Sequence, residues 1–151
     1  MKEIVLVPEG IQIVWFKRDL RVCDNSVLNL ASKYKNVLPI YIFEPVLWKE
    51  PDHSYRHYIF LKEALDDLEK QLAKLGANLS IFVGNAVEIF DQLNSRYRID
   101  RIFSHQETWN LWSYNRDKVI RLWAKHNDVE WIEKPRNGVI RKLEERNGWS
   151  H

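Results

Sequence analysis

The chain has 151 residues, one cysteine and a formal net charge of +2, enough for a single domain with a proper core and too short to argue for two. So mild a charge does not by itself imply nucleic-acid binding, and the lone Cys23 excludes an internal disulfide or a multi-cysteine metal site, which suits a reducing cytosol. No apolar stretch approaches the length that spans a bilayer and no signal-peptide pattern opens the chain, so the expected location is cytoplasmic.

Residues 1–10 carry Pro8 and Gly10 without periodicity and read as a leader. Ile11 to Phe16 is apolar on both faces, the pattern of a central parallel strand, and it stops abruptly at Lys17, Arg18, Asp19 and Arg21. Asn25 or Ser26 can cap a short helix ending near Tyr34, packed through Val27, Leu28, Leu30, Ala31 and Tyr34. Val37 to Phe43 is a second strand, closed by Glu44-Pro45, and Pro39 predicts incomplete pairing on one side. From Ser54 to Leu75, Tyr58, Leu61, Leu65, Leu68, Leu72 and Leu75 recur at helical steps before Gly76. Leu79 to Val83 is a third strand, and the turn at Gly84-Asn85 opens a helix ending near Ser95. A fourth strand is expected from Arg101 to Ser104, a helix from Trp109 to His126 with Trp112, Val119, Leu122 and Trp123 on its packing face, and a fifth strand from Val129 to Ile132. Cys23 is expected to be half-buried, and Trp15, Trp123 and Trp131 to belong to the core.

Strands alternating with helices imply right-handed crossovers and a parallel sheet, here a Rossmann-like three-layer α/β/α fold with five strands in the order 3-2-1-4-5. In that order the first and fourth strands are neighbours, and the loops after Phe16 and after Ser104 face each other across a crevice. Arg18 would then stand opposite Gln106 and Glu107, able to bond the polar edge of a flat heteroaromatic ligand while Phe16 or Trp109 packs on its face. The competing expectation for Glu107 is that it only favours a helix N-terminus through the dipole. Neither the dinucleotide glycine fingerprint nor a P-loop occurs, so bound phosphates would need side chains such as Arg18, Arg21 and Arg56. No metal-ligand spacing and no nucleophile elbow is present, so no metal site and no catalytic residue is expected in the chain.

Trp15, Phe16, Arg18, Asp19, Leu20, Arg21, Asp24 and Asn25 stand in the order of the opening signature of the DNA photolyase and cryptochrome family, with Lys17 where that pattern has arginine. The stretch from Ser54 to Leu61, with Arg56 and Phe60-Leu61, resembles the family's Ser-x-x-Arg-x-x-Phe-Leu, the arginine standing one place earlier, and Arg116-Asp117 resembles its Arg-Asp pair. Gly138-Val139 and the terminal Gly-Trp-Ser are similar to a bacterial branch. The resemblance implies the N-terminal α/β domain of such a flavoprotein, over residues 11–134, with 135–151 starting a linker toward a C-terminal helical domain that binds FAD. It implies an antenna chromophore, a folate, a deazaflavin or a flavin nucleotide, with Phe16, Lys17, Arg18, Glu44, Arg56, Gln106 and Glu107 as its neighbours by motif position. The stretch His105 to Thr108 departs from the family's usual loop, which leaves the chromophore open. In a complete member the antenna serves light-driven repair of pyrimidine dimers in damaged DNA, or light sensing; the isolated domain is expected to be inactive and to self-associate through an exposed interface. Another reading is a free-standing nucleotide-binding regulatory module. A third, nucleic-acid binding, rests on the basic excess of Lys134, Arg136, Arg141, Lys142 and Arg146.

Overall fold

The computed structural model describes residues 9–136. The leader apart from Glu9 and Gly10, most of the linker, the Gly138-Val139 and Gly-Trp-Ser motifs, and Arg141, Lys142 and Arg146 lie outside them.

Five strands form one all-parallel sheet: β1 (Ile11–Phe16), β2 (Val37–Phe43), β3 (Ser80–Val83), β4 (Ile99–His105) and β5 (Glu130–Lys134), in the order β3-β2-β1-β4-β5. Because side chains alternate across a strand, β1 divides its apolar run between two cores. Ile13 and Trp15 join Phe90, Ile102 and Ile120 under α3 (Ala86–Tyr97) and α4 (Leu111–His126). Val14 and Phe16 join Ala31, Leu68 and Phe103 under α1 (Ser26–Ala31) and α2 (Tyr55–Lys74). The fold and strand order are those the sequence implies. Pro39 sits opposite Val14, and pairing with β3 begins only at Ile40, so β2 is indeed bonded over part of its length on that side.

Local chemistry fixes the ends of the elements. Asn25 caps α1 by accepting from Leu28 N–H at 2.9 Å and donates to Arg21 O at 2.8 Å, which ties the charged loop to the helix. At the end of α2, Ala77 N–H returns to Leu72 O and Gly76 N–H to Ala73 O, a Schellman closure whose left-handed residue is Gly76 at φ 79°. Asn110 and Ser113 exchange side-chain bonds at the start of α4, and Asn110 Nδ2 donates to Asp52 at 3.2 Å. Asn110→Ala removes both the cap and this tether and is expected to cost roughly 1–2 kcal/mol, read as a lower urea midpoint with unchanged m; a loss within error would show that the cap contributes nothing.

Several expectations shift. α1 ends at Ala31, and Tyr34 is exposed beyond it. Tyr58 of α2 and Leu75 at its C-cap are exposed, because the helix buries only Leu65, Leu68 and Leu72. β4 starts earlier and runs to His105, β5 lies later, and Cys23 is exposed. The largest change concerns α4, which starts at Leu111 rather than Trp109. It buries Ser113, Asp117, Ile120 and Ala124, and leaves Val119 and Leu122 in solvent. The helix is turned by the ion pairs of Asp117 rather than by its largest apolar side chains. No helix among the described residues is long and apolar enough to cross a membrane.

Candidate functional site

At the carboxyl ends of β1, β2 and β4, where winding reverses, a cleft of about 580 Å³ opens. That volume suits a small organic ligand. Its floor is a buried network of five charged groups. Lys17 follows β1, Glu44 follows β2, Glu107 follows β4, and Arg116 and Asp117 come from α4. Arg116 donates to Glu44 at 2.5 Å, to Glu107, and to Asp117 at 3.0 Å; Lys17 meets Asp117 at 3.2 Å. The Arg116 guanidinium also lies 4.8 Å from the Trp15 ring centre, and Lys17 Nζ 4.3 Å from it.

The network sets the protonation of its members. Burial lowers the affinity of Lys17 for its proton, and Asp117 opposes this only in part. Burial raises the Glu44 carboxyl above the usual carboxylate range against the pull of Arg116. For Arg116 burial works to lower the value, but Glu107, Glu44 and Asp117 outweigh it and hold the guanidinium charged. Burial, then the nearby Glu107 and Glu44, raises Tyr41 and keeps its phenol neutral.

Above the floor the wall is aromatic. Trp48 stacks on Phe43 with ring centres 5.3 Å apart, His53 meets Trp48 and Trp109 edge-on at 4.6 Å each, and the Arg18 guanidinium covers Trp109 at 4.0 Å. Burial keeps His53 neutral, and its Nδ1 is buried without a hydrogen-bond partner among the described residues. Such a wall holds a flat ring by its face, while the floor and Arg18 offer donors and acceptors to its edges.

Of the residues expected at a ligand, Phe16, Lys17, Arg18, Glu44 and Glu107 line this cleft. Gln106 lines a small adjoining recess with Arg18, His105 and Glu107. Arg56 is exposed on the first turn of α2, next to His57, which lines the cleft. Glu107 is engaged by Arg116 rather than acting only on a helix end. Sequence reasoning noted Arg116-Asp117 as a motif but missed its place at the centre of the floor, and missed Trp48, His53 and Tyr41. An arginine at helical spacing carries no mark of burial; the one available signal was a helix whose single carboxylate adjoins it.

His105 lies 3.8 Å from Asp19, and burial lowers its pKa below the ordinary histidine range. A depressed folded-state value contributes stability above the unfolded histidine pKa that is lost as pH falls through the folded one. His105→Gln is therefore expected to make the urea midpoint fall less between about pH 7.5 and about pH 5 than it does in the wild type. Equal slopes would show that His105 does not titrate on unfolding.

Comparison with known proteins supplies the remaining observation. A family model described as DNA photolyase matches residues 12–146. The chloroplastic/mitochondrial cryptochrome DASH of Arabidopsis thaliana is 37% identical over 107 residues, covering 66% of this chain and 19% of that protein. Cryptochrome-1 of Drosophila melanogaster is 28% identical over 136 residues, covering 85% and 25%. The crystal structure of an archaeal photolyase from Sulfolobus tokodaii, described as holding two FAD molecules with the implication of a novel light-harvesting cofactor, superposes with a TM-score of 0.73 at 30% identity, over 82% of this chain and 29% of that one. A cryptochrome from Synechocystis shares the fold, with a TM-score of 0.74 at 18% identity, over 84% of this chain and 27% of that one. The chain thus spans less than a third of the length of each of these relatives.

Proposed function

Because the chain belongs to the DNA photolyase family, as its N-terminal α/β domain, we propose that it binds a light-harvesting chromophore in the cleft between β1, β2 and β4. The observation that carries this reading is the pairing of an aromatic wall, Trp48, His53 and Trp109, with a charged floor at the strand switch point. His53 lines the cleft beside Trp48 and Trp109, and the cleft volume fits a ring system of this class.

In this assignment Phe16 closes the inner end of the cleft and Arg18 clamps the ring or its phosphate. Glu44 and Glu107 receive N–H groups on the ring edge, Arg116 keeps those carboxylates in place, Lys17 holds Asp117 beside Arg116, and Gln106 serves the rim. Arg56, outside the lining, reaches only an extended tail, so Arg56→Ala is the mildest substitution of the set. A folate, a deazaflavin, FMN and FAD are the candidate ligands; the two FAD molecules of the archaeal relative support a flavin. Bound there, the chromophore absorbs light and passes excitation on. In a longer protein the acceptor is FAD in a C-terminal helical domain, and the whole acts on damaged DNA or as a light sensor, in the cytoplasm.

The test is an absorption spectrum of the purified domain, with mass spectrometry of anything released on denaturation, followed by titration with each candidate. A near-ultraviolet or blue band, or saturable binding of one candidate, supports the proposal and names the ligand. A colourless protein that binds none of them, yet binds an adenine nucleotide, replaces it with the regulatory-module reading.

A further inference from the structure

Helix α4 buries Ser113, Asp117, Ile120 and Ala124 and turns its opposite face to solvent. At 3.6 residues per turn, Leu111 and Leu122, about three turns apart, fall on one line down the middle of that outer face. They are 72% and 69% exposed, and Val119 beside them is 51% exposed. Single exposed apolar residues need no explanation, but a line of them along one helix marks a contact surface.

The charges around the line are of one sign. Lys118 and Lys125 flank it on the side toward β5, where Arg121 holds Glu133 at 2.6 Å. Lys118 rests on the Tyr114 ring at 4.3 Å, and neither lysine forms an ion pair among the described residues. The helix has a single carboxylate, Asp117, and it is buried in the cleft floor. The acids of the neighbouring α3 lie on the other flank, where Asp91 accepts from the Trp123 indole at 3.2 Å.

We propose that the outer face of α4 docks an acidic amphipathic helix of a partner protein. Apolar side chains of that helix cover Leu111, Val119 and Leu122, and its carboxylates meet Lys118 and Lys125. Charge selects this occupant. A second copy of α4 would set lysine against lysine with no exposed carboxylate of that helix to answer it. A nucleic-acid backbone would meet an apolar midline where its phosphates need cations. A bilayer would find a stripe one residue wide on a helix whose other face is held in the domain.

Binding of labelled peptides to the whole chain, followed by fluorescence anisotropy, tests this independently of the chromophore. The probes are a helical peptide of about five turns, roughly 18 residues, with a leucine face flanked by glutamates, its lysine-for-glutamate twin, a DNA duplex and phosphatidylglycerol vesicles. The acidic peptide should bind at least about tenfold tighter than its twin, lose about tenfold on Leu122→Asp, and yield its preference to the twin in the Lys118→Glu, Lys125→Glu double variant. These side chains are exposed, so folding is not at stake. Equal affinity for the two peptides, no binding of the acidic one, indifference to Leu122→Asp, or tighter binding of duplex or vesicles would overturn the proposal.

Discussion

Arg116→Met is expected to remove roughly 3–5 kcal/mol of stability, the cost of leaving buried carboxylates without their cation. At roughly 3 °C per kcal/mol for a domain of this size, Tm should fall by on the order of 10 °C. Arg116 is shared by Glu44, Glu107 and Asp117, and Lys17 is the only other cation of the buried network. Methionine fills comparable space but leaves three carboxylates to one ammonium, whose own charge is already disfavoured by burial. Part of the loss can be relieved by protonation, and Glu44 is the group poised for it, since its carboxyl is already raised. A raised folded-state value contributes stability below the unfolded carboxylate pKa that disappears as pH rises through the folded one. The Arg116→Met penalty should therefore be smaller near about pH 5 than near about pH 8, and Glu44→Gln should abolish that difference.

Two comparisons keep this testable if the methionine variant does not fold. Arg116→Lys retains the charge without the planar fork that serves three acceptors, so its loss should fall between wild type and methionine. Arg98→Met breaks an exposed pair with Asp100 and should cost under about 1 kcal/mol. A methionine variant at position 116 as stable as the one at position 98 would mean that the network is no more than a surface pair in its energetics.

The same contrast explains what was legible in the sequence. Strand β2 is a continuous apolar run and β1 is broken only by Gln12, and β-branched and aromatic residues buried on both faces admit few other readings, so the parallel sheet followed from alternation and handedness, and its order from analogy with doubly wound sheets. The loop after Phe16 declared itself by its sudden charge. Helix α4 did not, because its apolar residues point in two directions. Trp112, Trp123 and Val119 share a side of the helix, and hydrophobicity alone turns that side inward. The structure turns it roughly a quarter of a circle away, so that Asp117 reaches Lys17 and Ser113 completes the cap with Asn110. Periodicity weighs burial by apolarity and has no term for a carboxylate that must meet a cation from another element. The aromatic wall beyond Trp109 escaped for a related reason. Trp48 and His53 lie in the connection between β2 and α2, where no period exists to place a side chain, and only the folded geometry brings them to Trp109.

That geometry makes Trp109 the residue on which ligand binding should depend most. Its ring carries Arg18 on one side and meets the edge of His53 on another. Trp109→Ala therefore removes a stacking surface, frees the Arg18 guanidinium from its cation–π seat and loosens His53 in one step. Aromatic contacts are worth about 0.5–1.5 kcal/mol and an exposed cation–π pair about 0.5–1 kcal/mol, so the combined loss should be about 1.5–3 kcal/mol, or roughly 10- to 100-fold in Kd for the chromophore identified by titration. Trp109 precedes α4 and its Asn110 cap, so the unfolding free energy of the variant, measured in urea, should stay within about 1 kcal/mol of wild type. Arg56→Ala should change Kd by no more than about threefold, because that side chain lies outside the lining. An unchanged Kd in Trp109→Ala with a large change in Arg56→Ala would place the ligand over the first turn of α2 instead, and would remove the aromatic wall from the binding site altogether.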